Sequence, residues 1–265
     1  MFNKLPLDRS WEFHNNFSLL MFAVIIILTF IGFYLQKRNK LDVIKKISFF
    51  IIIFCFFQEI IDYVHRAFLD PSYSISWQKD LPLHFCHFAF YFSLLAIYLK
   101  FKNSSNDNEM STKSIRTQFL FDASFILGMS GALQGIFTPD FQHIHNYVGI
   151  ICAQLQHSLI ILNVFWLISA YKMRLEFHGL IYTYIFINLL VPFAILLNTI
   201  LGTNSAGDFA NYLYIMELPK VDNFLLDFVV DKSFPNFIFY VQPLIIGYIL
   251  ILYMPFFITN RFKKN

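Results

Sequence analysis

The stretch Leu81-Pro82-Leu83-His84-Phe85-Cys86-His87-Phe88-Ala89-Phe90-Tyr91-Phe92-Ser93-Leu94-Leu95-Ala96-Ile97-Tyr98-Leu99 carries no Asp, Glu, Lys or Arg. It is long enough, as a helix, to cross the hydrocarbon core of a bilayer. Two imidazoles inside it, His84 and His87, are costly to take out of water, so they must face other helices or a wet cavity rather than lipid. Their i, i+3 spacing puts them on one side of a helix, and Tyr91, four residues after His87, extends the same stripe.

Six further runs of this kind flank it. The seven expected spans cover approximately 17–35, 47–64, 81–99, 119–137, 148–167, 180–201 and 237–258, in one domain of 265 residues. The composition agrees: 57% of residues are apolar, only 14% are charged and the mean hydropathy is +0.55. A soluble domain carries about one charged residue in four. The fold class expected is therefore an all-α, polytopic seven-helix bundle. Fourteen of the 20 Lys and Arg, among them Lys37, Arg38, Lys45, Lys100, Arg116, Lys172 and Arg261, fall in alternate connections and at the C-terminus. By the positive-inside rule the N-terminus is then outside and the C-terminus cytoplasmic, with the cell membrane as the location. The first run lacks a small-residue cleavage site and is expected to remain as a helix. Cys55, Cys86 and Cys152 lie inside apolar runs, form no paired framework, and read as small buried hydrophobes. No nucleotide-binding loop and no nucleic-acid surface is present, no cofactor is implied, and the oligomeric state is not indicated.

Once depth is assigned, the intramembrane polar residues gather in the outer half. They include Gln58, Glu59 and Asp62 in the second span, His84 and His87 in the third, and Gln134 in the fourth. Gln154, Gln156, His157 and Ser158 come next in the fifth, Asn198 in the sixth, and Asn204 just beyond it. The expected product is a polar cavity opening outward. Asp62 and Arg66 are i, i+4 and expected to pair; His65 reads as an interfacial residue in contact with water, and His143 and His145 as solvated. The stretch 202–236 is too long for a bare turn and is expected to fold back over the bundle mouth. Cys86 is two residues from His84, about 200° around a helix, and so points away from the histidine stripe.

Four strings in order carry a resemblance: Leu81-Pro82-Leu83-His84-Phe85-Cys86, Gly131-Ala132-Leu133-Gln134-Gly135-Ile136-Phe137-Thr138-Pro139-Asp140, Gln156-His157-Ser158-Leu159-Ile160 and Gly202-Thr203-Asn204. Together they resemble the YwaF-like integral membrane proteins of bacteria, related to the eukaryotic transmembrane-protein-164 acyltransferases. The resemblance implies transfer of a fatty acyl chain between phospholipids by a Cys nucleophile and a later His, here His157. The position of that Cys, between Pro82 and His84, holds Leu83, which cannot attack an ester. Cys86 lies one turn later and would substitute only if the helix were irregular after Pro82.

Three readings are open. In the first, membrane lipids are substrates for ester chemistry with His157 as base, His84 and His87 assisting, and Gln134, Asn204, Tyr91, Gln154 and Glu59 binding the substrate. In the second, His84, His87 and His157 with Glu59 or Asp62 hold zinc in a membrane hydrolase. In the third, the cavity binds a solute or lipid without catalysis, as a carrier or sensor.

Overall fold

The structure is a computed structural model, and it describes residues 4–103, 114–139, 141, 144, 146–218, 227, 229 and 231–262. His143, His145, Leu225 and Phe228 lie outside the described residues, as do Asp140 and most of the linker 103–113.

Seven helices are long and apolar enough to cross a membrane: α1 (Leu7–Lys37), α2 (Leu41–Leu69), α3 (Phe85–Asn103), α4 (Ile115–Phe137), α5 (Tyr147–Tyr171), α6 (Phe177–Leu201) and α7 (Asn236–Thr259). Among the described residues there is no strand, only the isolated bridge between Thr203 and Phe209. An odd number of crossings puts the two ends of the chain on opposite faces. The face where α1 starts, called here the N-face, carries the α2–α3, α4–α5 and α6–α7 connections.

Two boundaries differ from the sequence expectation for physical reasons. α1 starts at Leu7, ten residues before the apolar run. Glu12, Asn15 and Asn16 hide this extension from hydropathy, yet Ser10, His14, Ser18, Met21 and Ile25 continue one buried stripe at helical spacing. α3 starts only at Phe85, so Leu81–His84 is irregular chain. Pro82 has no N–H to donate and disfavours helix for the residue before it. His84 stands instead at the N-cap, its carbonyl accepting from the backbone N–H groups of His87 and Phe88 at 3.0 and 3.2 Å.

α5 is the axis of the bundle. Of its apolar window 67% is buried, and of α4's 61%, against 22% for α1, α2 and α6. α1 lies along α5 with Gly32 against Ser169, where a Cβ would have no room. Asn163, fully buried on α5, donates to Ser93 Oγ on α3 at 3.1 Å and touches Cys55 Sγ on α2. Trp166 Nε1 donates to Ser48 Oγ on α2 at 2.9 Å. Apolar packing alone discriminates little between helix faces inside lipid, so such side-chain bonds set which faces meet.

Two helices are locally widened. His65–Leu69 at the end of α2 and Gly128–Ala132 within α4 are wound as π-helix. Each π-turn takes an extra residue and re-aims the next stretch of chain, and such turns recur at functional sites.

Candidate functional site

Two layers occupy the N-face. The upper one is an ion-pair network. Arg66 at the end of α2 donates to Asp62 Oδ2 and to Asp80 Oδ1, both at 2.6 Å. Asp80 also accepts from the Tyr73 hydroxyl at 2.8 Å and the Ser76 backbone at 2.9 Å, while Tyr63 donates to its carbonyl. The expected Asp62–Arg66 pair is therefore present, and Asp80 completes it. Burial and the Asp80 carboxylate raise the Tyr73 phenol, which stays a donor. His65 is 1% exposed, not an interfacial water contact: it sits between the Asp70–Asn146 hydrogen bond (2.7 Å) and Gly149 at the start of α5. The π-turn brings it inward.

The second layer is a cap. After Gly202, residues to Leu218 fold back over the bundle, as the length of this connection predicts. Asn198, buried on α6, grips the backbone of Tyr212 from both sides, at 2.8 and 3.1 Å. The Tyr212 hydroxyl donates to Trp77 O at 2.8 Å and accepts from Leu81 N at 2.9 Å, tying the cap to the irregular start of α3. Burial pushes this phenol up to about 12, so it keeps its proton. Leu213 and Tyr214 both have φ in the left-handed region, 60° and 53°. Such backbone costs of order 1 kcal/mol per non-glycine residue and persists where surroundings over-determine it. The strained turn lays the Tyr212 and Tyr214 rings over His84, with centroids 5.4 and 5.1 Å away. Lys79 closes the edge on Asp208 at 3.1 Å.

Beneath the cap lies His84. His84 and His87 are 6.1 Å apart between ring centroids. Gly131 of α4 packs against Cys86, between the two α3 histidines, and Gly135 one turn on meets the ring of His157 on α5, so all three imidazoles border the end of α4. All three are half-buried. Nδ1 of His84 is buried without a hydrogen-bond partner among the described residues, whereas His157 leans on the carbonyl of Ala153 one turn earlier. An imidazole nitrogen left bare in an apolar bundle is available to a hydroxyl or ester group that enters. Cys86 Sγ lies 3.8 Å from His87 Nδ1. The two are neighbours within α3, so Cys86 meets His87 rather than His84 and does not turn wholly away from the histidine stripe as its spacing from His84 predicts.

A profile of the TMEM164 family matches residues 10–253, a stretch that runs through all seven spans and the cap. The chain belongs to the TMEM164 family. No curated protein and no solved structure matches it.

The remaining sequence candidates of this TMEM164-family chain divide. Glu59 and Tyr91 meet: the Tyr91 hydroxyl donates to Glu59 Oε1 at 2.9 Å. Gln156, not Gln154, completes that group, donating to Glu59 Oε2 at 3.0 Å. Gln154 turns inward to Ser158 Oγ at 3.4 Å. Gln134 stands half-buried in the last turn of α4, its carbonyl accepting from Thr138. Asn204 is committed to its own loop, donating to Asp208 Oδ2 and accepting from Ala206 and Asp208 backbone N–H groups. Leu83 is half-buried against the apolar surface of Leu190, Ala194 and Tyr212. Among the described residues no group of three His, Cys, Asp or Glu stands close enough together to hold a metal ion.

Sequence reasoning passed over His14, Asp80, Tyr212 and Tyr214. His14 precedes the first apolar run and Asp80 precedes the third, so neither registered as intramembrane. The tyrosines lie in a connection whose fold-back was foreseen but whose register on His84 was not.

Proposed function

We propose that this protein moves a fatty acyl group between membrane lipids at the His84–His87–His157 site, reached from the N-face, which charge distribution places outside the cell. The carrying observation is that three half-buried imidazoles border the end of α4, with the strained Tyr212–Tyr214 turn over His84, whose Nδ1 is buried without a hydrogen-bond partner among the described residues. Family membership and the resemblance to lipid acyltransferases support the reaction class.

In this reading His157 accepts the proton of an acceptor lipid's hydroxyl as its oxygen attacks the donor ester carbonyl. His84 and His87 hydrogen-bond to the oxygen where negative charge develops. The tetrahedral adduct collapses, and the departing glycerol oxygen takes a proton from His157, so one ester is exchanged for another. Exclusion of water by the cap favours the lipid hydroxyl over hydrolysis. Purified protein in micelles, given a labelled phospholipid and a lysophospholipid, is expected to transfer label, and His157→Ala to lose at least about a hundredfold, the usual worth of a general base. Transfer unchanged in His157→Ala and His84→Ala would refute the assignment.

The Cys86–His87 contact favours a second route. There His87 takes the thiol proton, the thiolate displaces the lysolipid as a thioester forms, and the acceptor hydroxyl then releases the acyl group. Trapping of labelled acyl on Cys86 separates the two, and Cys86→Ser leaves only the direct one. A binding protein without catalysis would show neither transfer nor trapping, but thermal stabilisation by its ligand.

A further inference from the structure

α4 ends irregularly. Its π-segment Gly128–Ala132 re-aims the final turn Leu133–Phe137, and the last carbonyls of any helix lack partners within it. One of them, Ile136 O, is held from outside by His14 Nε2 on α1, at 2.7 Å. A carbonyl only accepts, so His14 carries its proton on Nε2 and is fixed in one tautomer. The ring is 2% exposed and packed edge-on against Trp11 and Phe141. The neighbouring residue, Gly135, meets His157: a Cβ there would sit 2.5 Å from the ring's Cε1 and 2.6 Å from Nε2. Gly135 and Ile136 are thus clasped between an imidazole of α1 and the imidazole of α5, and those two rings are within electrostatic reach of each other.

We propose that His14 is a positioning residue for His157: by fixing the Ile136 carbonyl it sets where Gly135 lies, and hence where the His157 ring rests. This rests on the catalytic reading only for its consequence; the placement of the His157 ring is measured separately.

Three substitutions isolate the effect. His14→Gln keeps an N–H where Nε2 donates, His14→Leu keeps the volume without the donor, and Ser18→Ala removes a different buried hydroxyl of the same stripe, one that bonds to His14 O at 2.8 Å. The readout, on full-length protein in micelles, is the rate at which diethyl pyrocarbonate modifies His157, followed by mass spectrometry. His14→Leu is expected to change that rate by at least about threefold, as a ring released from its packed rotamer becomes differently reachable. Gly135→Ala should do the same directly, whereas His14→Gln and Ser18→Ala should stay within about twofold of the parent. An unchanged rate in His14→Leu, a Gln variant that behaves like Leu, or an equal change in Ser18→Ala would each overturn the proposal. If the leucine variant does not fold, His14→Asn, whose amide is too short to reach the carbonyl, takes its place. Loss of acyl transfer in His157→Ala tests the catalytic reading independently of these rates.

Discussion

Single atoms decide the chemistry of this bundle. A Cβ at Gly135 would sit 2.5 Å from the His157 ring, so Gly135→Ala is a narrow probe. Overpacking a buried helix contact costs about 1–3 kcal/mol, so the variant should fold with a modestly lower Tm in detergent. Its acyl transfer should fall at least about tenfold, because a base displaced by a fraction of an ångström loses its alignment. Full activity in a folded Gly135→Ala protein would contradict the role given to His157. Arg66 is the second such point. Its guanidinium bridges two carboxylates, Asp62 and Asp80, whose side chains are 16% and 4% exposed. Arg66→Met leaves both without a counter-charge, and a loss of about 2–4 kcal/mol is expected after allowance for their residual solvation. Asp62→Asn, which keeps the Asp80 arm, should cost less than half as much by the same unfolding measurement.

At the scale of elements, the cap is the part whose stability should respond to pH. Asp208 accepts from Asn204 Nδ2 and pairs with Lys79, and these hold its carboxyl below the ordinary carboxylate range. A lowered folded value means that this contribution is fully present above the unfolded value, near pH 4, and is lost as pH falls through the folded one. Hydrogen exchange of residues 202–218 should therefore accelerate below about pH 4 while α5 stays protected. Asp208→Asn should exchange faster already at neutral pH and lose that dependence. The same scale shows what periodicity captures. Apolar run lengths located α4, α5 and α6 to within about four residues at each end, with the ends of α4 and α6 coinciding. They missed the first ten residues of α1, whose polar face outweighs its buried stripe in any hydropathy average, and they drew α3 four residues too early because Pro82 is apolar yet breaks the helix.

For the whole molecule, the arrangement is an axis of α5 and α4 ringed by helices that turn most of their surface outward. If the N-face is outside, as the positive-inside rule predicts from the alternation of Lys and Arg, a reporter fluorescent only in the cytoplasm, fused after Asn265, should light up. A dark fusion with intact expression would invert the orientation and put the histidine site on the cytoplasmic side. Of the polar slab read from the sequence, the upper part is filled by the Arg66–Asp62–Asp80 network, and Tyr212 and Tyr214 of the cap lie over His84.

Seven spans, their approximate limits, and the pairing of Asp62 with Arg66 are determined by the chain alone. Hydropathy is a sum over neighbouring residues, and an i, i+4 contact is fixed by one turn of helix. The chain alone also singles out His84, His87 and His157 as candidates, because an imidazole inside an apolar run is costly wherever it points. It does not single out their partners. His14 meets Ile136 across 122 residues and Gln156 meets Glu59 across 97, through the rotation and crossing of separate helices. Only tertiary packing sets those angles. It therefore decided that Gln156 and not Gln154 faces Glu59, that Asn204 serves its own loop, and that a histidine at the start of α1 belongs beside the site.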